Sequence, residues 1–127
     1  MKRTPLRRVS KKTAAENRRI APLRAAYKAE FHLCMLCRKR LAESVHEIAR
    51  GTHRHLAKME PCCWLALCQV PCHEAMGDAS EWSLTRQLAL KLVRDPSRFS
   101  LERFNEIRGR AEGAIELADI VKHLELV

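Results

Sequence analysis

Apolar residues along this chain fall in short, separated stretches, and the polar spacing between them changes from one stretch to the next. Good helix formers dominate "TAAENRRIAPLRAAYKAEF", residues 13–31, but Pro22 interrupts the run. Proline lacks an N–H and clashes with the preceding turn, so the pattern predicts a short turn and then a helix from Pro22 to Phe31. Leu23, Ala26, Tyr27 and Phe31 fall at 3–4 spacing there and would dock this helix on the body. Residues 1–12 read as extended or disordered without a partner. "SVHEI" (44–48) and "WLALC" (64–68) predict brief strands, and "CHEAMGDASEW" (72–82) a helix start.

The last third reads as helical. "SEWSLTRQLALKLVR", residues 80–94, places Trp82, Leu88, Leu92 and Val93 on one face with Leu84 at its edge, and Asp95-Pro96 ends it. Ser100 fits as the N-cap of "LERFNEIR", whose Leu101, Phe104 and Ile107 form a stripe. Gly109 and Gly113 flank a turn, and "IELADIVKHLEL" gives a final amphipathic helix through Ile120, Val121 and Leu124. These stripes read as core packing. The fold class expected is α+β, mostly helical, with a basic arm and helix over 1–30, a cysteine and histidine core over 31–78, and a helical extension over 79–127. No internal repeat is visible.

Charge changes this picture at one end. Of the 127 residues, 24 are Lys or Arg and 15 Asp or Glu, a net charge of +9. Residues 1–30 hold ten of the bases against Glu16 and Glu30, while the rest is nearly neutral. A basic arm on a neutral body suits a polyanion, because bases that meet phosphates release condensed counterions. Arg7, Arg8, Lys11, Lys12, Arg18 and Arg19 are the candidate contacts, and DNA is the expected partner. With 127 residues one domain is the simplest division, and a metal crosslink would add usefully to a modest core. No run of eighteen apolar residues exists, so no membrane span is expected. The basic N-terminus is not followed by an apolar stretch, as a secretory signal would require, and this favours the cytoplasm.

The cysteines supply the first chemistry. Cys34 and Cys37 stand as "CMLC", and Cys68 and Cys72 as "CQVPC". Two close pairs with an intervening segment of thirty residues are what four thiolates need to close a tetrahedron around Zn²⁺. Disulfides would need an oxidising compartment. Cys62 and Cys63 read as small apolar residues of a loop or strand.

His73 follows Cys72 directly. If Cys72 holds zinc at the start of a helix, His73 faces away from that ion, towards a second site. His46, on the strand between the knuckles, is its natural partner, and two imidazoles can hold a divalent cation while leaving positions for water and phosphate. His53 and His55 read as solvated loop residues or phosphate contacts beside Arg50 and Arg54. These two arginines flank Gly51 and are candidates to grip a phosphate backbone. His32 and His123 read as structural or surface residues.

Taken together, "CMLC…SVHEIARG…LALCQVPCHEAM" resembles the HNH nucleases over residues 34–76, and the basic start resembles small phage and prophage members. The resemblance implies a ββα-metal core stapled by structural zinc. It also implies a catalytic Mg²⁺ or Mn²⁺ held by His46 and His73, and phosphodiester hydrolysis at the minor groove of DNA that leaves a 5′ phosphate. The family's second histidine of the pair, the usual base, is Glu47 here; its carboxylate is the implied base or a further ligand. The family's middle asparagine is also missing, since Asn17 and Asn105 lie elsewhere. Two other readings stay open: a zinc-containing DNA-binding module that does not cut, and a redox or metal-storage protein. A homodimer through the C-terminal helices is a further expectation.

Overall fold

A computed structural model describes residues 10–49, 54–78, 80–109 and 112–126 of the chain. Among these residues the protein is mostly helical, with one two-stranded antiparallel sheet. No helix in them is long and apolar enough to cross a membrane. Arg7, Arg8, Arg50 and His53 lie outside the described residues.

The first helix corrects the reading of Pro22. Helix α1 runs unbroken from Lys11 to Glu30, so Lys11 and Lys12 are its first residues and not part of an extended arm. Ser10 caps it, its side chain accepting from the Thr13 backbone N–H. Pro22 is exposed, as is Arg18, whose carbonyl loses its helical partner, and the alanine-rich neighbours carry the helix across. The docking face is also narrower than expected. Ile20 and Tyr27, two turns apart, are buried, whereas Leu23 is 56% exposed and Ala26 is exposed too.

After α1 the chain forms the first knuckle, residues 34–40, in which the Arg38 N–H donates to the Cys34 carbonyl and the Cys34 N–H to the Arg40 carbonyl. Strand β1, Ser44–Glu47, then pairs with β2, Trp64–Leu67, in the register Ser44 to Leu67, Val45 to Ala66, His46 to Leu65 and Glu47 to Trp64. Every residue of β2 is buried, and β1 is half-buried. Between them lies the short helix α2, Arg54–Ala57, so His55 sits on a helix and not in a loop. Pro61–Cys63 forms a single helical turn that leads into β2 and buries both Cys62 and Cys63.

Beyond β2, the segment Gln69–His73 makes a wide helical turn that runs into α3, Glu74–Met76. Helix α4, Leu84–Arg94, is capped by Ser83. Its buried residues are Gln87, Leu88, Ala89, Leu90 and Lys91, while Val93, expected on the core face, is 42% exposed. The core side therefore follows the stripe Leu84, Gln87, Leu88 and Lys91. Lys91 is accommodated because its ammonium lies 2.7–2.9 Å from four oxygens: Asp95 Oδ2, Tyr27 Oη and the carbonyls of Pro61 and Trp64. A buried charge without such partners would be far too costly. Burial alone would raise the Asp95 carboxyl, but Lys91, with Tyr27 and Arg98, holds it below the ordinary carboxylate range.

Ser100 caps α5, Leu101–Arg108, as its sequence suggests, and Phe104 and Ile107 are buried. The final segment is shorter than the pattern implies. Helix α6 spans only Leu117–Val121, followed by a separate turn at Leu124–Leu126. Ile120 is buried there and Val121 is exposed.

Candidate metal and histidine site

The four knuckle cysteines come together. The sulfurs of Cys34, Cys37, Cys68 and Cys72 all lie within 4.8 Å of one another. Four sulfurs around a tetrahedral zinc, at Zn–S about 2.3 Å, stand about 3.8 Å apart, so the cluster is close to the size such an ion requires. A backbone hydrogen bond from the Met35 N–H to the Ala66 carbonyl holds the first knuckle against β2, and one from the His73 N–H to the Cys68 carbonyl closes the second knuckle on itself. These four cysteines can therefore bind a metal ion such as zinc. Cys62 and Cys63 are not part of the cluster; their sulfurs lie 3.8 Å apart in the core.

The thiols differ in acidity. Hydrogen bonding from the Lys39 backbone N–H pulls Cys37 down to about 6, against burial and with help from Arg40. Burial pushes Cys68 and Cys72 above the ordinary thiol range. Cys68 and Cys72 consequently ionise when a cation offsets the charge the cluster gathers, which couples metal uptake to proton release.

The sheet separates the neighbours His46 and Glu47. Side chains alternate along a strand, so these two project from opposite faces of the hairpin. On the first face, the His46 ring lies 5.3 Å from that of His73, with the planes inclined at 71°. The Gln69 Oε1 lies 2.6 Å from Ser44 Oγ, which donates to it, and 3.3 Å from His73 Nδ1, fastening the helical turn to β1. An open recess of about 280 Å³ at the end of β1 takes residues from both faces: Val45, His46, Glu47, Ala49 and His73. Two imidazoles sharing one ion at adjacent coordination positions, with metal–nitrogen distances near 2.1 Å, have ring centres about 4.5–5.5 Å apart. The spacing of His46 and His73 falls in that range.

On the second face, the Glu47 carboxylate is paired with Arg24 of α1, and Arg24 Nη2 also donates to the Lys58 carbonyl at 3.2 Å. The Arg24 guanidinium carbon stands 5.5 Å from the centre of the Trp64 ring, on the same side of the hairpin. Residue-type reasoning along β1 missed this pair, because its partner lies 23 residues away in sequence.

Lys11, Lys12, Arg18 and Arg19 are exposed on α1. Arg54 is the first residue of α2. His32 and His55 are exposed, and His123 is half-buried near α6. One contact to the site comes from a region that suggested no chemistry: Gln87 of α4 reaches His46. Its signal was present in the sequence as a polar residue between Leu84 and Leu88 on a helical stripe. Comparison with protein-family models, with curated proteins and with solved structures finds no match to this chain.

Proposed function

We propose that this chain is a metal-dependent DNA endonuclease of the HNH type, its hairpin, knuckles and following helix forming a ββα-metal unit. The observation that carries the reading is the convergence of two imidazoles, 5.3 Å apart, on a recess beside a four-cysteine cluster. His46 and His73 would hold Mg²⁺ or Mn²⁺, which when bound supplies positive charge to stabilise the departing 3′ oxygen. The basic residues of α1, with Arg54, would contact phosphates and set affinity without reading sequence. Through that divalent cation, His46 and His73 would set where the reacting phosphate sits.

The base in this reading is Glu47. It borders the recess from the opposite face of the hairpin and its carboxylate is engaged by Arg24, so that ion pair must open and the side chain must turn round the end of β1 before it can take a proton from water beside His46. The same observation favours a second reading, a zinc-containing DNA-binding module that does not cut. Plasmid nicking with Mg²⁺ or Mn²⁺ separates the two. The nuclease nicks, and His73→Ala lowers the rate by at least about a hundredfold while Lys11→Ala retains most of it. Salt-sensitive DNA binding with no nicking under any divalent ion supports the second reading and removes the first.

A further inference from the structure

Gln87 lies on α4, 41 residues from His46 in sequence, and is 1% exposed. A buried amide requires partners for both of its ends, and Gln87 has them. Its Nε2 donates to the Trp82 carbonyl at 2.9 Å, which turns Oε1 towards His46. That oxygen lies 2.7 Å from His46 Nε2. An amide oxygen only accepts, so the histidine must donate: Nε2 carries a proton, and in the neutral ring the lone pair is on Nδ1.

The anchor for this contact is itself fixed. The Trp82 N–H donates to the Asp78 carbonyl at 2.8 Å, and the Trp82 ring is buried beneath the Arg86 guanidinium, 3.8 Å from its centre. Arg86 Nη1 donates to the Glu81 carbonyl at 2.9 Å, and Ser83 caps the helix. The turn before α4 thus sets the direction of the Gln87 amide. At this position, on the same stripe as Leu88, a leucine would fill the core without needing either hydrogen bond.

We propose that Gln87 is a positioning residue that locks His46 in the Nε2–H tautomer and so selects Nδ1 as the atom through which His46 takes a divalent cation. The cation half of this inference rests on the proposed reading of the recess. The tautomer half rests on the hydrogen bonds alone. It also gives the C-terminal helices a part in the site: α4 orients a side chain on β1.

Long-range ¹H–¹⁵N correlation of the histidine rings in the full-length, zinc-loaded chain tests it, together with Mn²⁺ affinity measured by electron paramagnetic resonance. The unmodified chain should show His46 protonated on Nε2, with that proton slow to exchange. Gln87→Met removes the acceptor at similar volume. It should lose the protected proton, draw the two ring-nitrogen shifts together and weaken Mn²⁺ binding about 10–100-fold, with zinc content unchanged. Gln87→Glu retains an accepting oxygen and should keep the Nε2 proton. A wild-type ring protonated on Nδ1 overturns the proposal, as does a Met variant with an unchanged ring spectrum. Failure of the unmodified chain to bind Mn²⁺ overturns the reading of the recess and the cation half with it, while the ring spectrum still decides the tautomer half.

Discussion

The cysteine cluster and the histidine recess share one hairpin and one following turn, yet they are built on opposite plans. The cluster offers four protein ligands, three of them buried, and with an ion such as zinc four thiolates would complete a tetrahedron. Nothing remains for a substrate, which is the pattern of a structural ion. The recess joins two half-buried imidazoles and opens outward, so an ion held there would keep positions for water or phosphate. Cys72 and His73 are adjacent in the chain and serve the two plans separately. The difference teaches that a rigid closed site can act as the foundation for an open one, with the peptide between residues 72 and 73 as the link.

The largest expected effect falls on the closed site. Cys68→Ser removes one thiolate from the cluster. Zinc in such units contributes on the order of 10 kcal/mol, comparable with the whole stability of a small domain. Metal content should fall to near zero and the cooperative thermal transition should disappear, measured by elemental analysis and circular dichroism. His73→Ala should leave zinc content intact and change stability by no more than about 1 kcal/mol. If both substitutions release zinc, the separation of the two sites fails.

Acidity sharpens the comparison next. Near neutral pH Cys37, at about 6, is already a thiolate, whereas burial keeps Cys68 and Cys72 protonated in the metal-free chain. Zinc uptake should therefore expel at least the two protons of Cys68 and Cys72, so affinity falls at least about a hundredfold for each unit of decreasing pH around neutrality. Isothermal titration in buffers of different ionisation enthalpy counts those protons. A count near zero would mean that the thiols are ionised before the ion arrives.

Part of this architecture was readable in the residues, and the division has a physical basis. The cysteine pairs are local, each closing its own knuckle, and the two strands flank them closely enough for residue type to mark both. Ser100 caps its helix through a contact only three residues long, as does Ser83, although the pattern over 80–94 places Ser83 inside the helix. What escaped depends on contacts between distant segments. Glu47 finds Arg24, Gln87 finds His46, and Lys91 finds Tyr27 across 64 residues. Residue type does not mark which polar residues at core spacing are buried with partners, as Gln87 and Lys91 are. Pro22 misled for a related reason: an exposed helix can give up one backbone bond to water.

The smallest effect concerns the far face of the hairpin. Glu47→Gln breaks the pair with Arg24, both of whose side chains remain partly exposed, so the loss in stability should be about 0.2–1 kcal/mol. Chemical denaturation measures it. A loss of several kcal/mol would make this face, and not the zinc cluster alone, a main support of the hairpin.

The pairing of His46 opposite Leu65 fixes the phase of the whole hairpin. Because strand side chains repeat every two residues, a single inserted residue ahead of Val45 would invert their parity. The carboxylate would then turn towards α4 and the imidazole towards Arg24, with every ladder bond still able to form. The identity of the chemistry on each side is thus stored in counting, one residue at a time, along a ribbon only four pairs long.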